Sequence, residues 1–305
     1  MRYLLLLLSL LIGNISFGQT DKHVIIPGTK CSIIPPDGFV LAKSFSGLQN
    51  VEIGASIMVN ELVSAPYQTI ADGFNEENLK NKGIVLISKQ IVDFMGNKAT
   101  LLNISQKANN GTTYLKNMLV FGTSEGTVMV NGIYPKEYRQ YAEDIKKAVL
   151  STVYDMSRND NPLDAVSFTI DIKGTEFKFT NAVSGMLCFT VDGKIPTDNP
   201  TLFIAQSISK INSSNKKQYA EERLKKLPRG ESILIKEVKE VFIDNLSGYE
   251  IVAEDKTSVN ITELTYQVML FDDKGNYYIL VGKASNNHQA NLQTFRKIAQ
   301  SFKRK

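Results

Sequence analysis

Tryptophan is absent, and the 305 residues include only two histidines and two cysteines. Each shortage closes off some chemistry. Histidine is the usual general base near neutral pH, so base catalysis has almost nothing to draw on. His23 lies near the amino terminus on a segment expected to fray, and His288 opens the last helix among Asn286, Asn287 and Gln289. A Ser-His-Asp triad would need one of these two, and no Gly-x-Ser-x-Gly elbow occurs. Cys-x-x-Cys, His-x-x-x-His and calcium-loop spacings of acids are also missing, as is a glycine-rich phosphate loop after a strand. No catalytic, cofactor-binding or metal-binding residue is therefore assigned, and no cofactor. The lack of tryptophan weakens a carbohydrate-binding reading. The pair Asp272-Asp273 sits in a hairpin turn, where Asp is favoured for backbone reasons.

Two cysteines in so long a chain exclude a disulfide scaffold. Cys31-Ser-Ile-Ile and Met186-Leu-Cys188-Phe-Thr are apolar settings, which read as two small buried side chains. A single Cys31–Cys188 bridge is the other reading in an oxidising compartment. Charge is nearly balanced, at +4, and no basic tract is interleaved with aromatics, so nucleic acid is not an expected partner.

Long apolar runs are missing after residue 18, but the first residues hold a short one. Met1-Arg2 supplies a positive charge, Leu4 to Ile12 is apolar apart from Ser9, and Ser16-Phe17-Gly18 places small residues at −3 and −1 of a cut before Gln19. This reads as a cleavable secretory signal, since the apolar core is too short to be kept as a bilayer span. Cys31 lies too far downstream to be a lipidation site. The expected location is periplasmic or secreted, with no transmembrane segment in the mature chain.

What is present is a pattern written twice. Phe121 to Gly132 can be laid on Phe271 to Gly282 at an offset that also pairs Ser151 with Ser301. Each half shows an early extended region, a strand (52–60; 201–209) and a polar helix (67–81; 215–227). Four β-rich segments follow (83–94, 98–107, 112–122 and 127–134; 232–243, 247–255, 263–271 and 277–282). Their links are three to seven residues, mostly of turn chemistry, too short for parallel crossovers, so antiparallel sheets are predicted. An amphipathic helix closes each half: Tyr138, Tyr141, Ala142, Ile145, Ala148, Val149 and Thr152 share one face, and so do Leu292, Phe295, Ile298, Ala299 and Phe302. The fold class is α+β: two tandem α/β/α sandwich domains, each an antiparallel sheet covered by helices. The predicted organisation is a signal at 1–18, a first domain at 19–157, a polar Pro162-containing linker at 158–165 and a second domain at 166–305.

Each half resembles the PsbP/DcrB-like domains of bacterial envelopes and thylakoid lumens. The resemblance rests on Ile33-Ile-Pro-Pro-Asp-Gly38-Phe39, on the Phe121…Gly132 strand pair with the helix ending at Ser151, and on the late hairpin and Ile298-Ala-Gln-Ser-Phe302 of the second half. In that half the opening Pro-x-Gly-aromatic turn is replaced by Ser184-Gly-Met-Leu. The resemblance implies a mostly non-catalytic accessory or assembly role in the envelope, and its pattern carries no catalytic residues.

The leading expectation is thus an exported non-enzymatic binding or accessory module, acting through its sheet surfaces or an inter-domain groove on a protein or small-molecule partner. The runner-up is a secreted hydrolase with an unrecognised carboxylate-based site. A third reading takes the basic helix at 215–229 as a weak contact for anionic surfaces. Against it, Glu221 and Glu222 stand four residues before Lys225 and Lys226 as ordinary surface pairs.

Overall fold

The computed structural model describes residues 20–108, 111–208, 210–211, 213–228, 230–258 and 261–305. The predicted signal at 1–18 and its cut before Gln19 lie outside the described residues.

Two seven-stranded antiparallel sheets share one topology and no strands. The first is built from β1 (Val40–Leu41), β2 (Gly47–Asn50), β3 (Ala55–Val63), β4 (Ile84–Phe94), β5 (Asn97–Lys107), β6 (Thr113–Gly122) and β7 (Gly126–Pro135). The second follows with β8 (Lys178–Val183), β9 (Met186–Thr190), β10 (Thr201–Gln206), β11 (Leu234–Ile243), β12 (Leu246–Ser258), β13 (Ile261–Phe271) and β14 (Tyr277–Ala284). Their spatial orders are β1-β2-β3-β7-β6-β5-β4 and β8-β9-β10-β14-β13-β12-β11. Every strand of one sheet has its counterpart in the other.

Helices cover both faces of each sheet, so central strands are apolar without alternation: Met118, Leu119, Val120 and Phe121 on β6 are all buried. In the first half, helices α1 (Tyr67–Gly73) and α2 (Glu76–Lys80) lie over Leu102, Ile104, Met118 and Val120. Helix α3 (Ala142–Leu150) covers the other face with Ile145, Ala148 and Val149. In the second half, α4 (Lys216–Lys225) seats Ala220 and Leu224 on one face, and α5 (His288–Gln300) seats Phe295, Ile298 and Ala299 on the other. The polar helix expected over 67–81 is two helices, because Asn75 leaves α1 and caps α2 by accepting from the Asn78 N–H.

Details repeat where the physics demands them. Gly132 and Gly282 stand under the closing helices. A Cβ on Gly282 would lie 2.7 Å from the Phe295 ring, and one on Gly132 would collide with Ile145. Ser151 and Ser301 are the C-caps of those helices. Each hydroxyl donates three residues back, to Ala148 and Ile298, and each accepts an N–H from the start of its own half, Ile34 and Asp171. The matching edge strands β4 and β11 each carry a bulge, at Ile87 and at Lys236. Met95-Gly96 and Asp244-Asn245, all four at positive φ, turn the matching hairpins β4–β5 and β11–β12.

Two alignments differ from expectation. Gly122 pairs with Thr127 while Phe271 pairs with Tyr277, so the second hairpin is one residue longer. That slip turns Phe271 to the α4 face, whereas Phe121 faces α3; Leu270 is its counterpart. The opening turn of the second half is not Ser184-Gly. It is Ile172 to Thr175, closed by Thr175 N–H on Ile172 C=O with Gly174 at φ +68°, as Phe39 N–H on Pro36 C=O closes the first with Gly38 at φ +78°. Ser184-Gly185 instead turns β8 into β9.

The segment between the sheets is fastened to the first. Arg158 donates to the Cys31 carbonyl, Asn161 caps the turn Pro162–Ala165, and the buried Ala165 packs so close to Gly28 that a Cβ there would stand 2.7 Å away. His23 is also held rather than frayed. Its Nδ1 accepts from Thr20 N–H at 2.9 Å, which leaves Nε2 to donate to the Ser151 carbonyl at 2.9 Å.

Candidate functional site

The expected groove between the halves is closed. Beyond the end of β2, which pairs only with Ala55 to Met58, the edge of β3 is met by the β8–β9 hairpin. Ser184 donates both its N–H (2.6 Å) and its hydroxyl (3.1 Å) to Asn60 Oδ1. Gly185 sits against the Ser44 carbonyl, too close for any Cβ. The space left at this seam is about 60 Å³, room for a water or two.

The roomy concavity lies on the second sheet alone, with a volume of about 970 Å³. Helix α4 packs over β12 and β13, and leaves β10 and β14 uncovered toward their far ends. The floor is Phe203 and Ala205 of β10 with Ile279 and Val281 of β14, bordered by Met186 of β9. One wall is the end of α4 with Arg223, Leu227 and Pro228; another is the loop 191–200 with Thr197 to Asn199. That loop is organised by Asp192, whose carboxylate accepts from Thr197 and Asn199. Desolvation pushes the Asp192 carboxyl up, but the hydrogen bonds from Thr197, Asn199, the Lys194 N–H and Thr190 together outweigh it and hold the carboxyl below the usual range. Deeper in, Lys283 Nζ and Glu263 form a 2.7 Å ion pair with both side chains largely buried. Arg223 is half-buried, and among the described residues its guanidinium makes no hydrogen bond or ion pair.

Register identifies the matching positions in the first half. Phe203 lies opposite Val281 and Met58 opposite Asn131; Ala205 lies opposite Ile279 and Asn60 opposite Met129. Thus Phe203, Ala205, Val281 and Lys283 stand where the first half has Met58, Asn60, Asn131 and Ile133. Met58 and Asn60 are buried, each 8% exposed, whereas Phe203 and Ala205 are half-exposed.

A second place draws acids together without making a site. Glu61 is partly buried, and burial pushes its carboxyl above the usual range. Glu125 and Asp160 lie near enough to raise it further. Such a group is a catalytic candidate by its charge setting. Its Oε1, however, is held by the Lys30 N–H at 2.7 Å and faces the Cys31 thiol, and the cavity beside Glu125 measures about 10 Å³. No substrate fits there. The cluster braces the strand Cys31–Ile33 against β3.

Sequence-marked residues fall elsewhere. Cys31 and Cys188 are free, buried and in different sheets. Burial raises both thiols, Cys188 to about 12 and Cys31 well above its ordinary value. His288 begins α5, half-buried. Asp272 closes its turn on Asn276, holding to the backbone role expected. The helix read as a basic surface contributes its end, Arg223 and Leu227, to the groove wall. Among the described residues no cluster of three His, Cys, Asp or Glu is placed to hold a metal ion, and no helix is long and apolar enough to cross a membrane.

No protein-family profile and no curated protein matches the chain. Three solved structures are similar in outline. The crystal structure of the Tle4–Tli4 complex aligns at 10% identity and TM-score 0.35, over 94% of this chain and 98% of that one. The immunity protein TplEi of T6SS from Pseudomonas aeruginosa aligns in its apo form at 10% identity and TM-score 0.34, over 95% of this chain and 99% of that one. Complexed with "L" peptide, it aligns at 9% and 0.34, over 93% and 99%. Scores this low do not bring two chains into one frame, and nothing about function follows from them.

Proposed function

We propose that the protein is an exported, non-enzymatic binding module whose second half holds a ligand in the groove between β10, β14 and the end of α4. One observation carries this reading: an apolar sheet floor borders an open volume of about 970 Å³, and its β10 residues Phe203 and Ala205 are half-exposed where their first-half counterparts Met58 and Asn60 are buried. A concavity of this size, with an apolar floor and few polar groups, is the usual form of a small-molecule site. Export is supported by the charge, apolar core and small-residue pattern of residues 1–18. The division into domains meeting at 158–165, each akin to a PsbP/DcrB-like domain, is supported by the α/β/α layering of each half. A carboxylate hydrolase finds less support: Glu263 is held by Lys283, and Glu61 has no room for substrate.

One preparation tests both parts. A chain expressed with residues 1–18 intact is recovered from the periplasmic fraction, where its mass is expected to begin at Gln19. The neutral dye Nile red is then titrated into it and into Ala205→Trp, which fills the floor. Saturable binding in the parent and its loss in the variant are expected. Dye binding that survives Ala205→Trp unchanged rules out the groove.

A further inference from the structure

Every charge in the groove except two has its partner. Lys283 and Glu263 hold each other, and their mutual 2.7 Å contact cancels their net demand. Asp198 stands exposed to solvent on the loop 191–200. Arg223 differs. It is half-buried against the groove, beside Leu227 and Pro228, and nothing among the described residues accepts from its guanidinium. A guanidinium presents up to five donors in a planar fork that matches a carboxylate or phosphate two bonds at a time, and it is weakly hydrated, so partial burial favours such a partner. Beside it, Phe203, Ala205, Ile279 and Val281 offer an apolar floor with no unmet polar group in need of a ligand.

We infer that the groove takes an anionic amphiphile, its carboxylate or phosphate head on Arg223 and its apolar body along β10 and β14. This rests on the reading of the groove as a binding site. Hydrophobic burial supplies the affinity, roughly in proportion to the apolar area covered; the charge-assisted pair at Arg223 selects the head and fixes direction. The ion pair Lys283–Glu263 stays intact, because breaking it would strand a buried charge.

The test compares probes of one chain length as competitors of Nile red: dodecanoic acid, dodecyl phosphate, dodecanol and dodecyltrimethylammonium. The two acids are expected to displace the dye about tenfold more strongly than the alcohol, as one charge-assisted pair would give. The cation should be the weakest. Arg223→Gln, on the wall and outside the core, is expected to bring the acids down to the alcohol's level with an unchanged melting temperature. Which acid binds more tightly separates a fatty-acid-type head from a phospholipid-type one. Equal displacement by acid and alcohol in the parent chain overturns the role of Arg223 while leaving the groove as a site. No displacement by any of the four overturns the inference, while the Nile red comparison of the parent with Ala205→Trp decides separately whether the groove is a site; displacement by an acidic apolar peptide alone overturns the inference in favour of a protein partner.

Discussion

The two halves use the same strand order, the same helix over the same glycine and the same serine cap, yet they treat one sheet face in opposite ways. In the first half β2 stops after four residues and the last contact on that side is Val59 N–H on the Ser46 carbonyl, so the edge of β3 from Asn60 onward is open and the β8–β9 hairpin of the second half takes it. Asn60 is the polar receptor for that contact. In the second half β9 pairs along β10 from Thr201 to Ala205, so no edge is free. There the Asn60 position is Ala205 and the Asn131 position is Val281, and the face stays open along β10 at Phe203 and Ala205. Two copies of one plan have thus diverged into an internal joint and an external groove. Duplicated topology preserves packing at the helix seats, while residues on a half-covered face are free to change chemistry.

The comparison can be broken first at the helix seats. Phe295→Ala should cost ~3–5 kcal/mol and Ile145→Ala ~2–5 kcal/mol, the ranges for large-to-small core changes. Both should lower the midpoint of urea denaturation. If only one does, the two seats are not equivalent.

The joint comes next. Gly185 is at φ +78°, and a Cβ there runs into the Ser44 carbonyl. Gly185→Ala therefore adds about 1 kcal/mol or more of left-handed strain and lifts the hairpin from β3. The expected readout is faster hydrogen exchange at Asn60 and Ser184 with the helix seats still protected. Uniform loss of protection would show that the halves do not fold as separate units.

The smallest effect sharpens the equivalence. Ser151→Ala and Ser301→Ala remove the same two hydrogen bonds at matched positions, Ser301 losing also a longer one to the Asp171 carbonyl, and each should cost ~1–2 kcal/mol. Values from chemical denaturation that agree within about 0.5 kcal/mol support one shared cap; a null effect at either site denies it.

Periodicity and turn chemistry made most of the strands, the closing helices and the twofold plan readable in advance, because both are local. The apolar stripe through Ile145 and Val149 needs no knowledge of its partner to be recognised. The one-residue slip that turns Phe271 away was not readable, since a turn length shows only when strands are paired. The second opening turn at Ile172–Thr175 lacks the proline that marks the first, so no local signal announces it. The groove is illegible in the sequence for a different reason: Phe203, Ala205, Arg223 and Val281 form no motif, and their spacing along the chain is unrelated to their spacing across the sheet. A weak signal did exist. Thr201-Leu-Phe-Ile-Ala alternates apolar residues onto both faces of β10, and no amphipathic segment in the second half was left over to cover one of them.

By itself the sequence determined the α+β class, the repeat and the poverty of histidine, cysteine and tryptophan, because composition and short-range periodicity encode which segments bury which side. Tertiary structure alone decided where the repeat is broken. The length of β2, the reach of the Ser184-Gly185 turn and the offset of α4 on its sheet are long-range matters. They close the seam at Asn60 and leave Arg223 without a partner among the described residues over an open apolar floor.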